Sequence, residues 1–231
     1  VLQNYYETVN NEKMAEINTI YAEGTVIAQG MEMPFVQKVK KGGKVKNEVI
    51  VQNSKMIQAY DGEVGWMIAP WLGTDEPQDM SDDQVDQLAE QGDIEGNLWN
   101  WKDKVESLEL TGKEDMEGTE VYKLKMIEKT DEEEAIAEGE EGEESEGNVR
   151  YIYIDAENFV ILKMKMKRVI QGNEMEIEIY TSNFKEVDGV IMPFNMETIV
   201  GGQTVSQISI ETIKFDVEID DAEFEKPVND E

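Results

Sequence analysis

The 231-residue sequence has no cysteine and no histidine, and only two arginines. These absences exclude thiol nucleophiles, imidazole bases and the usual His and Cys ligands of zinc and copper. The lack of cysteine fits the cytosol and the periplasm equally well. No apolar run approaches the ~18 residues that predict a transmembrane helix. The chain begins at Val1, and we expect that a leader peptide has been removed.

The sequence also lacks the motifs of common catalytic sites. It contains no Gly-x-Ser-x-Gly, no phosphate-binding loop and no Rossmann glycine pattern. Pairs of carboxylates can serve as acid and base in glycosidases, but none of the 52 acidic residues stands out. We therefore expect no enzyme activity, no cofactor and no metal.

Positive charge is scarce. The 21 basic residues leave a net charge of −31, which repels nucleic acid and anionic bilayers, so neither is an expected partner. Asp131 to Gly147 carries ten carboxylates and no base, which predicts a mobile acidic loop over 131–147. A calcium site there is an alternative, although the spacing fits no EF-hand loop.

One basic cluster interrupts this acidic chain, and it surrounds the turn signal at Gly42-Gly43. Its residues are Lys38, Lys40, Lys41, Lys44 and Lys46. It is either a solvated hairpin tip that discourages edge pairing or a docking point for an anionic or acidic partner.

Alternating apolar and charged residues dominate the rest of the chain. The pattern from Arg150 to Phe215 predicts five antiparallel strands with one apolar face and one charged face. Adding the earlier runs gives strands over 20–69 and 107–215. The longest predicted strand, over 30 Å at roughly 3.3 Å per residue, suits a strongly curved sheet or a barrel.

Two regions have helical spacing instead. Apolar residues recur on one face of residues 1–17. A helical insertion is predicted over 81–104, with Ser81 as its N-cap and a break at Gly92. With no linker in sight, we predict a single domain over 1–231, mainly β. It is a half-open antiparallel β-barrel or strongly curved sheet with an α-helical lid.

The chain is also rich in methionine, with 13 residues. Several lie on apolar strand faces, where flexible thioethers suit a surface that accepts varied apolar shapes. The same residues could equally pack an ordinary core beneath the helices. The four tryptophans are similarly open to both interpretations, as core or as the rim of an opening.

Three motifs resemble the outer-membrane lipoprotein-sorting (LolA-like) family, in particular its members from Bacteroidetes-type bacteria. They are Asp61-Gly62-x-x-x-Trp66-x-x-x-Pro70, Phe184-Lys-Glu-Val-Asp-Gly189 with Pro193 soon after it, and Asp221-x-x-Phe224-x-x-Pro227. Each motif alone is common. Their order and spacing, together with the order of helix, strands, insertion and strands, extend the resemblance over nearly the whole chain.

The resemblance implies a periplasmic carrier that binds acyl chains or other apolar cargo between a curved sheet and its helices. It implies a lipidated protein or lipid as cargo, membrane-associated donor or acceptor proteins, and a monomer. The expected cavity residues are Trp66, Ile68, Leu88, Leu98, Trp101, Met126, Met164, Met166 and Met175. The alternative is a non-enzymatic structural or sensory envelope protein with the same fold and a filled core.

Overall fold

The structure is a computed structural model that describes residues 1–70, 75–129, 148–170 and 173–227. Its helices are α1 (Leu2–Val9), α2 (Asn11–Glu16), α3 (Asp82–Glu90) and α4 (Trp101–Lys104), and a short 3-10 helix spans Asp221–Glu223. Its strands are β1 (Thr19–Ala28), β2 (Met31–Lys40), β3 (Lys44–Val51), β4 (Ser54–Tyr60), β5 (Gly65–Ile68), β6 (Gln78–Asp79), β7 (Val105–Met116), β8 (Thr119–Glu128), β9 (Val149–Asp155), β10 (Ile161–Ile170), β11 (Asn173–Val187), β12 (Val190–Val200) and β13 (Gln203–Phe215).

These strands form one sheet in the order β6-β5-β4-β3-β2-β1-β13-β12-β11-β10-β9-β8-β7. The first and last strands of the chain, β1 and β13, are therefore neighbours. Among the described strands β6 and β7 are the edges, and the sheet does not close. The predicted fold class is confirmed: the protein is mainly β, with one curved, unclosed antiparallel sheet and few helices.

The register of β10 and β11 explains why the alternation of apolar and charged residues in the sequence predicted these strands. Met164 lies opposite Ile179, and Met166 lies opposite Ile177, so apolar residues face each other on one side. On the other side Lys165 reaches Glu176 at 2.5 Å. Because successive side chains point to opposite faces, each alternating run determines its own buried side.

The chain divides into two compact units. Unit 1 comprises Val1–Asn10, Asn97–Lys185 and Ile191–Gln207. Unit 2 comprises Asn11–Gly96, Glu186–Val190 and Ile208–Glu231. The single-domain organisation over 1–231 stays a prediction.

Unit 1 contains a packed apolar cluster. Its buried members are Leu98, Val105, Leu124, Met126, Ile152 and Ile154. Helix α1 packs against this cluster through Leu2, Tyr5 and Tyr6. The Tyr6 hydroxyl donates a hydrogen bond to the Leu98 carbonyl oxygen, which anchors the helix. The helix ends at Asn10, whose left-handed conformation (φ 58°) separates α1 from α2.

The insertion over 81–104 is less helical than the sequence predicts. Helix α3 begins after Ser81, whose main-chain N–H donates to Gln84 Oε1 at 3.0 Å, as in a capping box. Residues 91–100, however, form turns. Gly96 (φ 72°) and Asn100 (φ 52°) adopt left-handed conformations there, which interrupt a helix. Val105, directly after the predicted insertion, begins β7.

The C-terminal strap, residues 216–227, lies against the basic cluster. Lys40 Nζ is 2.7 Å from Asp221 Oδ1, and Lys44 Nζ is 3.2 Å from Asp221 Oδ2. Hydrogen bonds from these two lysines hold the pKa of the Asp221 carboxyl below its usual range. The ion pairs of the strap also include Lys38 and Lys46 with Glu223. The basic cluster is thus paired with carboxylates of the same chain.

The predicted acidic loop over 131–147, and the calcium site considered there, lie outside the described residues. In the part of the chain that the structure describes, no group of three or more carboxylates is arranged to hold a metal ion. Within the same part, no helix is long and apolar enough to cross a membrane.

Candidate functional site: an apolar groove in unit 2

Unit 2 contains a groove of about 660 Å³. It lies where strands β1 to β4 end in two hairpin turns. The lining residues are Val26, Ala28, Gln29, Met31, Met33, Val49, Val51, Gln52, Ser54, Met56 and Pro70. No side chain among them carries a charge.

Strand register brings the groove residues together. Val26 lies opposite Met33 and Ala28 lies opposite Met31 across β1 and β2. Val49 lies opposite Met56 across β3 and β4. All of these positions alternate onto one face of the sheet, so the face carries a continuous apolar surface up to the two turns.

Helix α3 covers another part of the same face. Gln37 and Asn47 share this face with the groove, because they are four residues from Met33 and two residues from Val49 respectively. The Asn47 amide donates to Gln91 Oε1 at 2.9 Å, and the Gln37 amide donates to the same oxygen at 3.2 Å. Gln91 directly follows α3, so this polar network fixes the end of the helix on the sheet.

Gly92 allows the main chain after α3 to approach the β2–β3 turn closely. A Cβ atom at Gly92 would lie 2.2 Å from the carbonyl oxygen of Gly43, in the β2–β3 turn. The residue is therefore a point of close main-chain contact.

The rim of the groove is polar and exposed. Gln29 and Gln52 occupy the β1–β2 and β3–β4 turns, and Ser54 begins β4. Met31 is 37 % exposed while Met33 is buried. The groove thus has a solvent-exposed polar rim and an apolar floor. This arrangement is common in sites that bind an apolar ligand with one polar end.

Three of the residues predicted to line a cavity belong to unit 2. Trp66 is buried, and its indole N–H donates to the Phe224 carbonyl oxygen at 2.7 Å. Leu88 is buried on α3, and Ile68 is half-buried at the end of β5. None of the three is a lining residue of the groove, so their contact with a ligand stays a prediction.

The other six predicted residues belong to unit 1. Leu98 and Met126 are members of its apolar cluster, with Trp101 and Met164 packed against them. Met166 is buried. The remaining residue, Met175, is half-buried, and its Cε atom would lie 2.8 Å from a Cβ atom at Gly201. For these six residues, too, ligand contact stays a prediction.

The methionines of the groove, Met31, Met33 and Met56, were missed at the sequence level. Alternation in the early strands was visible, with Met31 and Met33 two residues apart. The signal that could have identified them is their distance from the helical insertion. A helix of nine residues spans only about 14 Å at 1.5 Å per residue. Strands β1 and β2, ten residues each, are roughly 33 Å long, so their far ends extend beyond such a helix.

Unit 1 has its own buried charged group. Arg150 is 7 % exposed, and its Nη2 lies 2.7 Å from Glu128 Oε1. Arg168 Nη2 lies 3.2 Å from the other oxygen of the same carboxylate. The two arginines of the chain therefore share one partner, which compensates part of the cost of burying charge.

No protein-family model matches the sequence, and no curated protein matches it. Solved structures do match. A domain named as an outer membrane lipoprotein-sorting protein, from Vibrio parahaemolyticus, is 14% identical with a TM-score of 0.62, over 97% of this chain and 96% of that one. A LolA superfamily protein from Nitrosomonas europaea is 14% identical with a TM-score of 0.58, over 98% of each chain. The chain therefore has a LolA-like fold.

Proposed function

We propose that the protein is a carrier for lipidated protein, and that the groove in unit 2 holds an acyl chain of the cargo. The observation that carries the proposal is an uncharged, mainly apolar groove of about 660 Å³ in a chain with a net charge of −31. Exposed apolar surface of this kind marks a binding site for an apolar partner.

The size of the groove supports one acyl chain as the occupant. A methylene group fills about the volume of a water molecule, ~30 Å³. At that volume, the groove of about 660 Å³ has room for about 20 methylene groups. One long acyl chain fits this space, whereas several chains side by side exceed it.

The groove methionines suit a carrier. Met31, Met33 and Met56 line it from two of its strands, β2 and β4. Their unbranched side chains adapt to chains of different length and saturation at little cost, as on other surfaces that bind varied apolar partners.

The proposal also covers the location, oligomeric state and partners of the protein. We place it in the periplasm or cell envelope, as a monomer without enzymatic activity that exchanges cargo with membrane-associated donor and acceptor proteins. Its relation to the members from Bacteroidetes-type bacteria stays a prediction. The support is the shared fold, together with a charge that disfavours nucleic acid as a partner.

A second candidate has one observation in its favour. The apolar cluster of unit 1 is packed, with Met126 fully buried and Ile152 2 % exposed. This arrangement suits a structural or sensory envelope protein of the same fold whose interior is filled. Such a protein would have no measurable affinity for acyl chains.

The experiment uses two substitutions at neighbouring residues of β1. Ala28→Trp fills the groove, whereas Ile27→Trp lies on the opposite face of the same strand and is the matched control. A fluorescent peptide with an N-terminal palmitoyl group is titrated into each protein. Ala28→Trp should weaken binding by about tenfold or more, equal to about 1.4 kcal/mol, and Ile27→Trp should not. Thermal melts confirm that both variants remain folded.

One result would contradict the carrier function and another would contradict the groove as its site. Failure of the parent protein to bind the palmitoyl peptide would contradict the carrier function and leave the filled-core alternative. Equal binding by the parent and Ala28→Trp would place the acyl chain outside the groove.

A further inference from the structure

The rim of the groove carries two glutamines in equivalent positions. Gln29 is the first residue of the β1–β2 turn and Gln52 is the first residue of the β3–β4 turn. Both residues line the groove and both are exposed. Two separate hairpins therefore present the same functional group to one opening.

Glutamine is an unexpected residue at both places. Gln29 has φ 52° and is followed by Gly30 at φ 75°, while Gln52 has φ 48° and is followed by Asn53 at φ 68°. Two-residue turns with positive φ strongly prefer Asn, Asp or Gly at the first position. Turn formation alone therefore does not account for either glutamine.

The described rim residues, Gln29, Gln52 and Ser54, are also uncharged. The nearest charged residues along the hairpins, Glu32 and Lys55, lie opposite Ile27 and Ile50, and so alternate onto the other face of the sheet. Lys55 is moreover paired with Glu48 at 2.8 Å. An anionic ligand end at the rim would have no cationic side chain among the lining residues, and would lie in the field of a chain with net charge −31.

We propose that Gln29 and Gln52 are specificity-determining residues that bind the uncharged carbonyl linkage, ester or amide, of an acyl chain in the groove. A primary amide offers two N–H donors and a carbonyl acceptor, which match a neutral ester or amide. A free fatty acid is selected against, because its carboxylate would meet no cationic donor among the described lining residues and would lie in the field of a chain with net charge −31. This inference rests on the proposed function and names the class of ligand for the same groove.

The test compares two ligands of equal chain length. Binding of 1-monolauroylglycerol and of laurate is measured at pH 8 by displacement of the palmitoyl peptide, below the concentrations at which either ligand aggregates. The parent protein should bind the neutral ester about tenfold more tightly than the carboxylate, as expected for a site without a charged donor.

The variants remove the amides without disturbing the turns. The double variant Gln29→Gly with Gln52→Gly suits positive φ, so it should melt at the same temperature as the parent or higher. Its affinity for 1-monolauroylglycerol should fall about tenfold through two lost hydrogen bonds, and the preference over laurate should disappear. Gln52→Lys should shift the preference towards laurate. Asn53→Gly, beside Gln52 and outside the lining, is the control and should keep the preference.

The outcomes separate this inference from the carrier function. If the parent binds both ligands equally, or if the glycine double variant keeps the preference, the role of the glutamines is overturned while acyl binding by the groove stands. If the parent binds neither ligand and does not bind the palmitoyl peptide, both proposals are overturned.

Discussion

The indole N–H of Trp66 donates a hydrogen bond to the carbonyl oxygen of Phe224, at 2.7 Å. Trp66 is 2 % exposed and Phe224 is 0 % exposed. This bond joins β5 to the C-terminal strap, and the ion pairs of Asp221 and Glu223 with the basic cluster extend the contact. The strap is therefore an integral part of unit 2.

Phe224→Ala should destabilise the protein by about 3–5 kcal/mol, because it removes a fully buried aromatic side chain and leaves a cavity. Urea unfolding measures the change. Glu225→Ala, at the adjacent exposed position, is the control and should change stability by less than about 0.5 kcal/mol. A loss below about 1 kcal/mol for Phe224→Ala would mean that the strap is only loosely attached.

Asp221 should make stability depend on pH. Lys40 and Lys44 lower the pKa of its carboxyl in the folded protein, so the folded state favours the ionised form. The contribution is fully present above the unfolded pKa of about 3.9 and is lost as pH falls through the lower folded value. The difference in melting temperature between the parent and Asp221→Asn should therefore shrink as pH falls from 7 to 3.

The matched control for this pH series is Glu218→Gln, at an exposed residue of the same strap. Its difference from the parent should stay small and nearly constant. An Asp221→Asn difference that grew on acidification would have the wrong sign for a lowered pKa.

Gly92→Ala should destabilise the protein by about 1–3 kcal/mol through overpacking, because the new Cβ atom would meet the Gly43 carbonyl oxygen at 2.2 Å. Gly96→Ala meets no atom within 4 Å but has φ +72°, so only backbone strain of about 1–2 kcal/mol is expected. Thermal melts of both variants test this. Gly92→Ala with parental stability would contradict the close contact with Gly43.

Met164→Trp distinguishes the two units. Met164 packs against the apolar cluster of unit 1, so the larger ring should cost about 1–3 kcal/mol of stability. The groove of unit 2 does not include this residue, and affinity for the palmitoyl peptide should stay unchanged. A folded Met164→Trp variant that no longer binds the peptide would return the acyl site to the residues expected from the sequence.

The strands were predictable because their signal is local. Apolar and charged residues alternate along the chain, as at Met164 and Lys165 or at Ile177 and Glu178. Each run therefore indicates its buried face without information from distant residues. The structure of residues 91–100 was harder to predict. Leu98 and Trp101 have helical spacing, but Gly96 before them and Asn100 between them favour turns. In that stretch the turn residues prevail over the apolar period.

The groove and the strap could not be predicted in the same way. The groove depends on the register that sets Met33 opposite Val26 and Met56 opposite Val49, and on which part of the face α3 leaves uncovered. The strap joins Lys40 to Asp221 across most of the chain. Neither pairing leaves a periodic signal, so the basic cluster could be recognised but its partner could not.

The central claim is that an acyl chain lies in the groove of unit 2, and photo-crosslinking tests it most directly. A palmitoyl peptide with a diazirine near the end of its acyl chain is bound, illuminated and mapped by mass spectrometry. The carrier account predicts labels on residues 26–33 and 49–56, and their loss in Ala28→Trp but not in Ile27→Trp. Labels confined to the cluster around Met126 and Met164, or no labelling above that of an unrelated protein, would contradict it.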